Sequence, residues 1–281
     1  MTRSLRRLWP SWRAHLSWRN WRQASELPLT RLAKRWTGPN SGTFAVRTRY
    51  FDDRLIAALQ DGIRQVVSLA AGMDGRAMRL ECPPGTRWYE VDMPEMVAFK
   101  EALMARAGMA PTCHWSGIGA DLVADWYSEL QEAGFDRRQP SAWLIEGLLM
   151  YLTEEVADDM LAEVTRASAP GSWLLVEHLD TRMLGEGGRT VQDAVKSQNS
   201  VMISARDDVA DWLAGYGWRA SLHAGSDPEI GYGRVLPEMP AGWLACAVQG
   251  SGPYPPLVGT TRNSRQAAQI LPLRDSPRRL A

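Results

Sequence analysis

The sequence predicts an α/β fold in which helices cover both faces of a mostly parallel sheet, and three observations predict it. Short apolar runs of strand type alternate with helical stretches from about residue 50 to residue 179. Glycines and carboxylates collect just after those runs, where open α/β sheets bind ligands. The chain has 281 residues, 45% hydrophobic and 23% charged, enough to bury one large core.

The elements follow in order. Residues 1–43 form a basic, tryptophan-rich arm with Trp9, Trp12, Trp18, Trp21 and Trp36 set among arginines. Leu5, Leu8, Trp9, Trp12 and Leu16 recur at helical spacing, interrupted by Pro10. The arm reads as a cap packing its tryptophans on the main domain, or else as a membrane-surface or partner-binding segment. Asp52 or Asp53 caps a helix through Leu55, Ile56 and Leu59, and Asp61-Gly62 closes it. Strands are then expected at 65–70, 86–91, 112–117, 141–146 and 172–178. Helices are expected from Pro94 to Ala107, at 123–133 and from Thr153 to Ala167. The alternation lapses at 180–205, where Gly185, Gly187 and Gly188 precede a polar helical stretch, and this segment reads as an inserted cover. Helix 206–215 leads to two runs, 217–224 and 242–248, read as a terminal antiparallel pair. The main domain is thus 44–250. Residues 251–281 are rich in Pro, Ser, Thr and Arg without periodicity and read as a disordered tail.

The formal net charge is zero, but of the 32 basic residues six arginines fall in 1–25 and five in 251–281, against Asp275 alone among acids there. The body of the chain is therefore about ten charges negative. An acidic body is a poor nucleic-acid groove, which needs a basic surface. Three cysteines without CxxC spacing and four scattered histidines suggest neither a disulfide framework nor a metal site. With no run of about 18 apolar residues, no membrane span is expected and the expected compartment is the cytoplasm.

At the strand ends, "VVSLAAGMDGRAMRL" (66–80) turns at Ala71-Gly72-Met73-Asp74, where a glycine lets backbone approach a ligand. Twenty residues on, Asp92 ends the second strand at the offset suited to ribose hydroxyls. Asp121 follows the third strand and can accept from an adenine amino group; Glu146 follows the fourth. One such glycine is equally an ordinary turn and one such acid an ordinary helix cap, but four acids in series point to a nucleoside site. "AAGMDG" lacks the three glycines of a dinucleotide fingerprint, and a carboxylate such as Asp74 would repel a pyrophosphate. It would attract the ammonium and sulfonium of S-adenosylmethionine.

The ordered segments "RTRYFDD" (47–53), "QVVSLAAGMDGRAMRL" (65–80), "YEVDMPEMVAFK" (89–100), "ADLVADW" (120–126) and "AWLIEGLLMYLTEE" (142–155) resemble the motifs of the leucine carboxyl methyltransferase family over roughly 44–180. The resemblance implies a seven-stranded class I methyltransferase sheet, Rossmann-like, ending in an antiparallel hairpin, and S-adenosyl-L-methionine as cofactor. It implies that Arg47 holds the cofactor's carboxylate, Gly72 offers backbone, Asp92 binds the ribose, Asp121 and Leu122 meet the adenine, and Glu146 lies near the methionine amino group. The sequence departs from the family pattern in three places: Ala70 replaces the first glycine of the turn, Val123 replaces an arginine, and Lys34 is a loosely placed counterpart of an upstream lysine.

The expected activity is O-methylation of a carboxyl group on a small-molecule, secondary-metabolite-like substrate. Hydroxyl methylation with His178 of "VEHLD" as base is the alternative; Tyr151 of "LLMYL", after the fourth strand, is placed instead to orient the substrate. A non-catalytic, partner-binding protein of the same fold, and third an oxidoreductase, complete the readings.

Overall fold

The structure, a computed structural model, describes residues 41–197, 200–233 and 242–250. The arm through residue 40, Lys34 with it, and the tail from 251 lie outside the described residues.

Helix α1 (Ser41–Gln60) begins well before the aspartates expected to cap it. Asp52 and Asp53 lie within the helix: Asp53 pairs with Arg49 one turn earlier, and Asp52 faces Arg76 and Arg79. The reason is visible in the packing, where Val46, Tyr50, Phe51, Leu55, Ala58 and Leu59 are all buried at helical spacing that already starts upstream of the aspartates.

After α1 come β1 (Gln65–Leu69), the short α2 (Arg76–Arg79), β2 (Arg87–Asp92), α3 (Pro94–Ala107) and β3 (His114–Gly119). The third strand begins two residues later than expected because Thr112 is engaged elsewhere: its N–H and hydroxyl reach the Ala77 carbonyl. Next are α4 (Trp126–Glu132), β4 (Ser141–Ile145), a 3-10 turn at Leu149–Tyr151, α5 (Glu154–Arg166) and β5 (Trp173–Leu179). Among the described residues, α6 (Arg189–Lys196), α7 (Val209–Gly215), β6 (Trp218–Ala224) and β7 (Gly242–Gln249) follow.

The seven strands form one sheet in the order β3-β2-β1-β4-β5-β7-β6. β1 to β5 are parallel, and β7 runs antiparallel between β5 and β6. Alternation along the strands divides the core. Val67, Tyr89, Trp143 and Leu174 point into one apolar cluster with Trp126, Leu130, Leu161 and Val164. Val66, Trp88, Leu144 and Leu175 point the other way, onto Phe51, Leu55 and Leu59 of α1. Burial of each of these large side chains is worth roughly 1.5–3 kcal/mol.

The segment read as an insertion packs over the carboxyl ends of β4 and β5. Met183 is buried against Met150 and Leu179, Ile203 N–H donates to the Met150 carbonyl, and Arg206 N–H to that of Leu179. Strand order reverses between β1 and β4, so the crevice for a ligand opens at their carboxyl ends. Among the described residues, no helix is long and apolar enough to cross a membrane.

Candidate functional site

A cavity of about 640 Å³ opens at that reversal, lined by the β1 turn, the end of β4, α1 and α2. Its volume lies in the range of small-molecule sites. The turn carries unusual backbone: Ala70 has φ +53 and Gly72 φ +50. A Cβ added at Gly72 would meet no atom within 4 Å, so its bare backbone faces open space. At Ala70 the left-handed region, which glycine adopts without penalty, is taken by an alanine at a cost of about 1 kcal/mol.

The turn is held from the next strand. Asp92, only 8% exposed, accepts from Gly72 N–H and Met93 N–H, each at 2.7 Å. Burial raises its pKa, and the two amide donors only partly oppose that. Lys100 of α3 donates to the Asp74 carbonyl and pairs with buried Glu90, fixing the turn from its other side.

A network of charges forms the far wall. Arg47 on α1 has Nε 2.7 Å from Glu146 at the end of β4, and its Nη1 donates to both oxygens of Glu177 at 2.9 Å. Burial pulls the Arg47 pKa down, and Glu177 and Glu146 more than reverse it. Glu177 also accepts from Gly147 N–H at 2.8 Å. Arg76, 4% exposed in its side chain, reaches Asp52 at 2.7 Å, Asp74 at 2.9 Å and Glu146 at 2.7 Å. Arg79 adds a second contact to Asp52. Three arginines thus face four carboxylates, a formal excess of one negative charge before Asp92 is added, which suits a cationic ligand.

The site residues expected from sequence divide accordingly. Arg47 and Glu146 share the cavity wall. Gly72 and Asp92 meet through their hydrogen bond. Asp121, after β3, accepts from Val123 N–H at 3.2 Å, and Leu122 packs partly buried against the core. Tyr151 is half-buried; burial first and Glu177 second raise its pKa. His178 lies elsewhere. Adjacent to Glu177 on β5, it points to the opposite face of the sheet, where its ring packs edge-on against Trp212 of α7 at 6.2 Å. Its Nδ1 accepts from Leu179 N–H at 2.8 Å. Burial, then Arg206, lower its pKa to about 4.

Sequence reasoning missed Arg76, Asp52, Lys100 and Glu177. Glu177 lies inside β5, two residues before its end, so a rule that reads acids just after strands passes over it and reaches Asp180 instead.

The model of the leucine carboxyl methyltransferase family matches residues 7–165, more than half of the chain. The chain belongs to the leucine carboxyl methyltransferase family. A Mycolicibacterium smegmatis protein named as an S-adenosyl-L-methionine-dependent methyltransferase is 42% identical over 202 residues, covering 69% of this chain and 68% of that protein. A protein of Parafrankia sp. with the same kind of name is 41% identical over 222 residues, 74% of this chain and 68% of that one. Two solved structures share the fold. One is a DUF574 family protein of Streptomyces avermitilis, with TM-score 0.57 and 16% identity over 73% of this chain and 83% of that one. The other is named as a methyltransferase of Thermobifida fusca, with TM-score 0.55 and 19% identity over 76% and 82%. This family member is an S-adenosylmethionine-dependent methyltransferase with the seven-stranded class I sheet.

The residues present fit that cofactor. Ser68, on the cavity wall, has a buried hydroxyl with no partner, and Gly72 leaves the space a Cβ would fill.

Proposed function

We propose that this methyltransferase acts on a carboxyl group of a small-molecule acid. The observation that supports the reading is the separation of Glu177 from His178. The first belongs to the charged wall of the cavity; the second is buried on the other face, held neutral at pH 7 and engaged through Nδ1. A carboxylate is already ionised at pH 7 and needs no general base, whereas a phenol or alcohol gains from one.

When bound, S-adenosylmethionine supplies a methyl group on a sulfonium centre. Arg47 would take the cofactor's carboxylate, with Glu146 and Glu177 fixing the plane of its guanidinium. Asp92 would accept from the ribose hydroxyls through the lone pairs that Gly72 and Met93 leave free. Asp121 and Leu122 would meet the adenine, and Glu146, held by Arg76, would meet the ammonium group. Tyr151, beside Glu177, orients the acid. The contribution to rate is alignment of nucleophile and methyl within the cavity.

The test is product analysis with the full chain against a panel of acids and phenols. The expected product is a base-hydrolysable methyl ester, formed by His178→Ala within about fivefold of the wild-type rate. An alkali-stable ether, with a fall of about a hundredfold or more in the variant, would replace carboxyl methylation with base-assisted hydroxyl methylation.

A further inference from the structure

At the other end of the sheet, where the parallel strands begin, a second cavity of about 450 Å³ holds two thiols. Cys82, Cys113, Thr86 and His114 are among the residues that line it. Cys82 lies in the loop between α2 and β2, and Cys113 directly precedes β3. The two segments are tied together by Thr112, whose N–H and hydroxyl donate to the Ala77 carbonyl at 2.9 and 3.1 Å and whose hydroxyl also reaches the Leu80 carbonyl. Both thiols are free and half-buried, whereas Cys246, the third cysteine, is free but fully buried in the core.

We propose that Cys82 and Cys113 form a dithiol that hydroperoxides oxidise to an intramolecular disulfide, a modification site remote from the methyl-transfer cavity. The two thiols open into the same cavity, Cys82 from the loop before β2 and Cys113 from the residue before β3. The mutual influence of the pair lowers the Cys82 pKa to about 7, helped by Thr112, and raises that of Cys113. Cys82 is therefore the attacking thiolate and Cys113 the resolving thiol.

The steps balance. The Cys82 thiolate attacks one peroxide oxygen, an S–O bond forms and the O–O bond breaks, and the other oxygen leaves with a proton as an alcohol, or as water from hydrogen peroxide. Cys113 then attacks the sulfur of the sulfenic acid; the S–S bond forms and the hydroxyl leaves as water. The dithiol loses two protons and two electrons, and the hydroperoxide gains them. Attack within the pair competes with over-oxidation because the partner thiol lines the same cavity.

The experiment treats the full-length protein with a small excess of hydrogen peroxide and maps its peptides by mass without reduction. The expected result is a Cys82–Cys113 cross-linked peptide lighter by two hydrogens, reversed by dithiothreitol, with Cys246 unmodified and the melting temperature raised by several degrees. In Cys113→Ser, Cys82 accumulates as a dimedone-trapped sulfenic acid; in Cys82→Ser, Cys113 stays reduced. The proposal is overturned if Cys82 passes to sulfinic acid without a cross-link in the wild type, or if the disulfides formed join separate molecules. It is equally overturned if Cys113 reacts as readily when Cys82 is absent, or if neither thiol reacts.

Discussion

Asp92→Asn separates the structural task of this carboxylate from the cofactor-binding task proposed for it. In the structure it accepts from Gly72 N–H and Met93 N–H at 2.7 Å while almost completely buried. A hydrogen bond to a charged acceptor is worth about 1.5–3 kcal/mol, and an asparagine oxygen can satisfy only one donor well while its NH₂ meets the other. Against that loss stands a gain, since burial raises the Asp92 pKa and the neutral amide escapes the cost of a buried charge. The terms oppose each other, so stability without cofactor should fall by about 2 kcal/mol or less, measured by urea unfolding. Cofactor binding has no such offset: weaker acceptance from the ribose hydroxyls should cost about 1–3 kcal/mol, or roughly 5- to 150-fold in Kd by titration calorimetry. The pH dependence adds a second signature. Because the folded pKa is raised, the native state binds the proton more tightly, so above the ordinary carboxylate range wild-type stability falls as pH rises toward the raised value; the variant lacks that slope. A folded variant that binds S-adenosylmethionine within twofold of wild type would refute the assignment of Asp92 to the ribose.

Three further outcomes are expected. Ala70→Gly should stabilise the fold by about 0.5–1 kcal/mol, because the φ of +53 strains alanine but not glycine; chemical denaturation showing a loss instead would contradict the left-handed turn. Arg76→Met removes the cation shared by Asp52, Asp74 and Glu146 and should destabilise by about 3–5 kcal/mol in thermal melts. Arg76→Lys should rescue little, since an ammonium cannot reach three carboxylates in that geometry; a wild-type melt for either would argue against the network. His178→Asn, which keeps an acceptor for Leu179 N–H, should flatten the acid limb of the stability curve. With a folded pKa near 4 against an ordinary 6.5, wild-type stability from this group is present above pH 6.5 and is lost as pH falls toward 4, because the unfolded chain takes up a proton the native state refuses. Superimposable pH–stability curves would show that His178 is not buried neutral.

The period-2 burial that sends Val66 and Val67 to opposite faces, and the glycine and acid endings of successive strands, were written in local sequence, so the sheet, its terminal antiparallel pair and the positions of Gly72, Asp92, Asp121 and Glu146 could be read from it. Local pattern failed first at Asp52 and Asp53. A cap and a mid-helix aspartate look alike in sequence, and the packing decides between them: Val46 and Tyr50 are buried upstream of both, Asp53 pairs with Arg49 one turn earlier, and Asp52 meets the arginines of α2. It could not rank Glu177 above His178 either. Neighbours on a strand necessarily face opposite ways, and which face meets Arg47 and which meets Trp212 is set by where α1 and α7 lie on the sheet. The buried hub at Arg76 and the meeting of Cys82 with Cys113 have the same origin. Each brings together residues far apart in the chain, the charges within direct reach and the thiols on one cavity, whatever their separation in sequence.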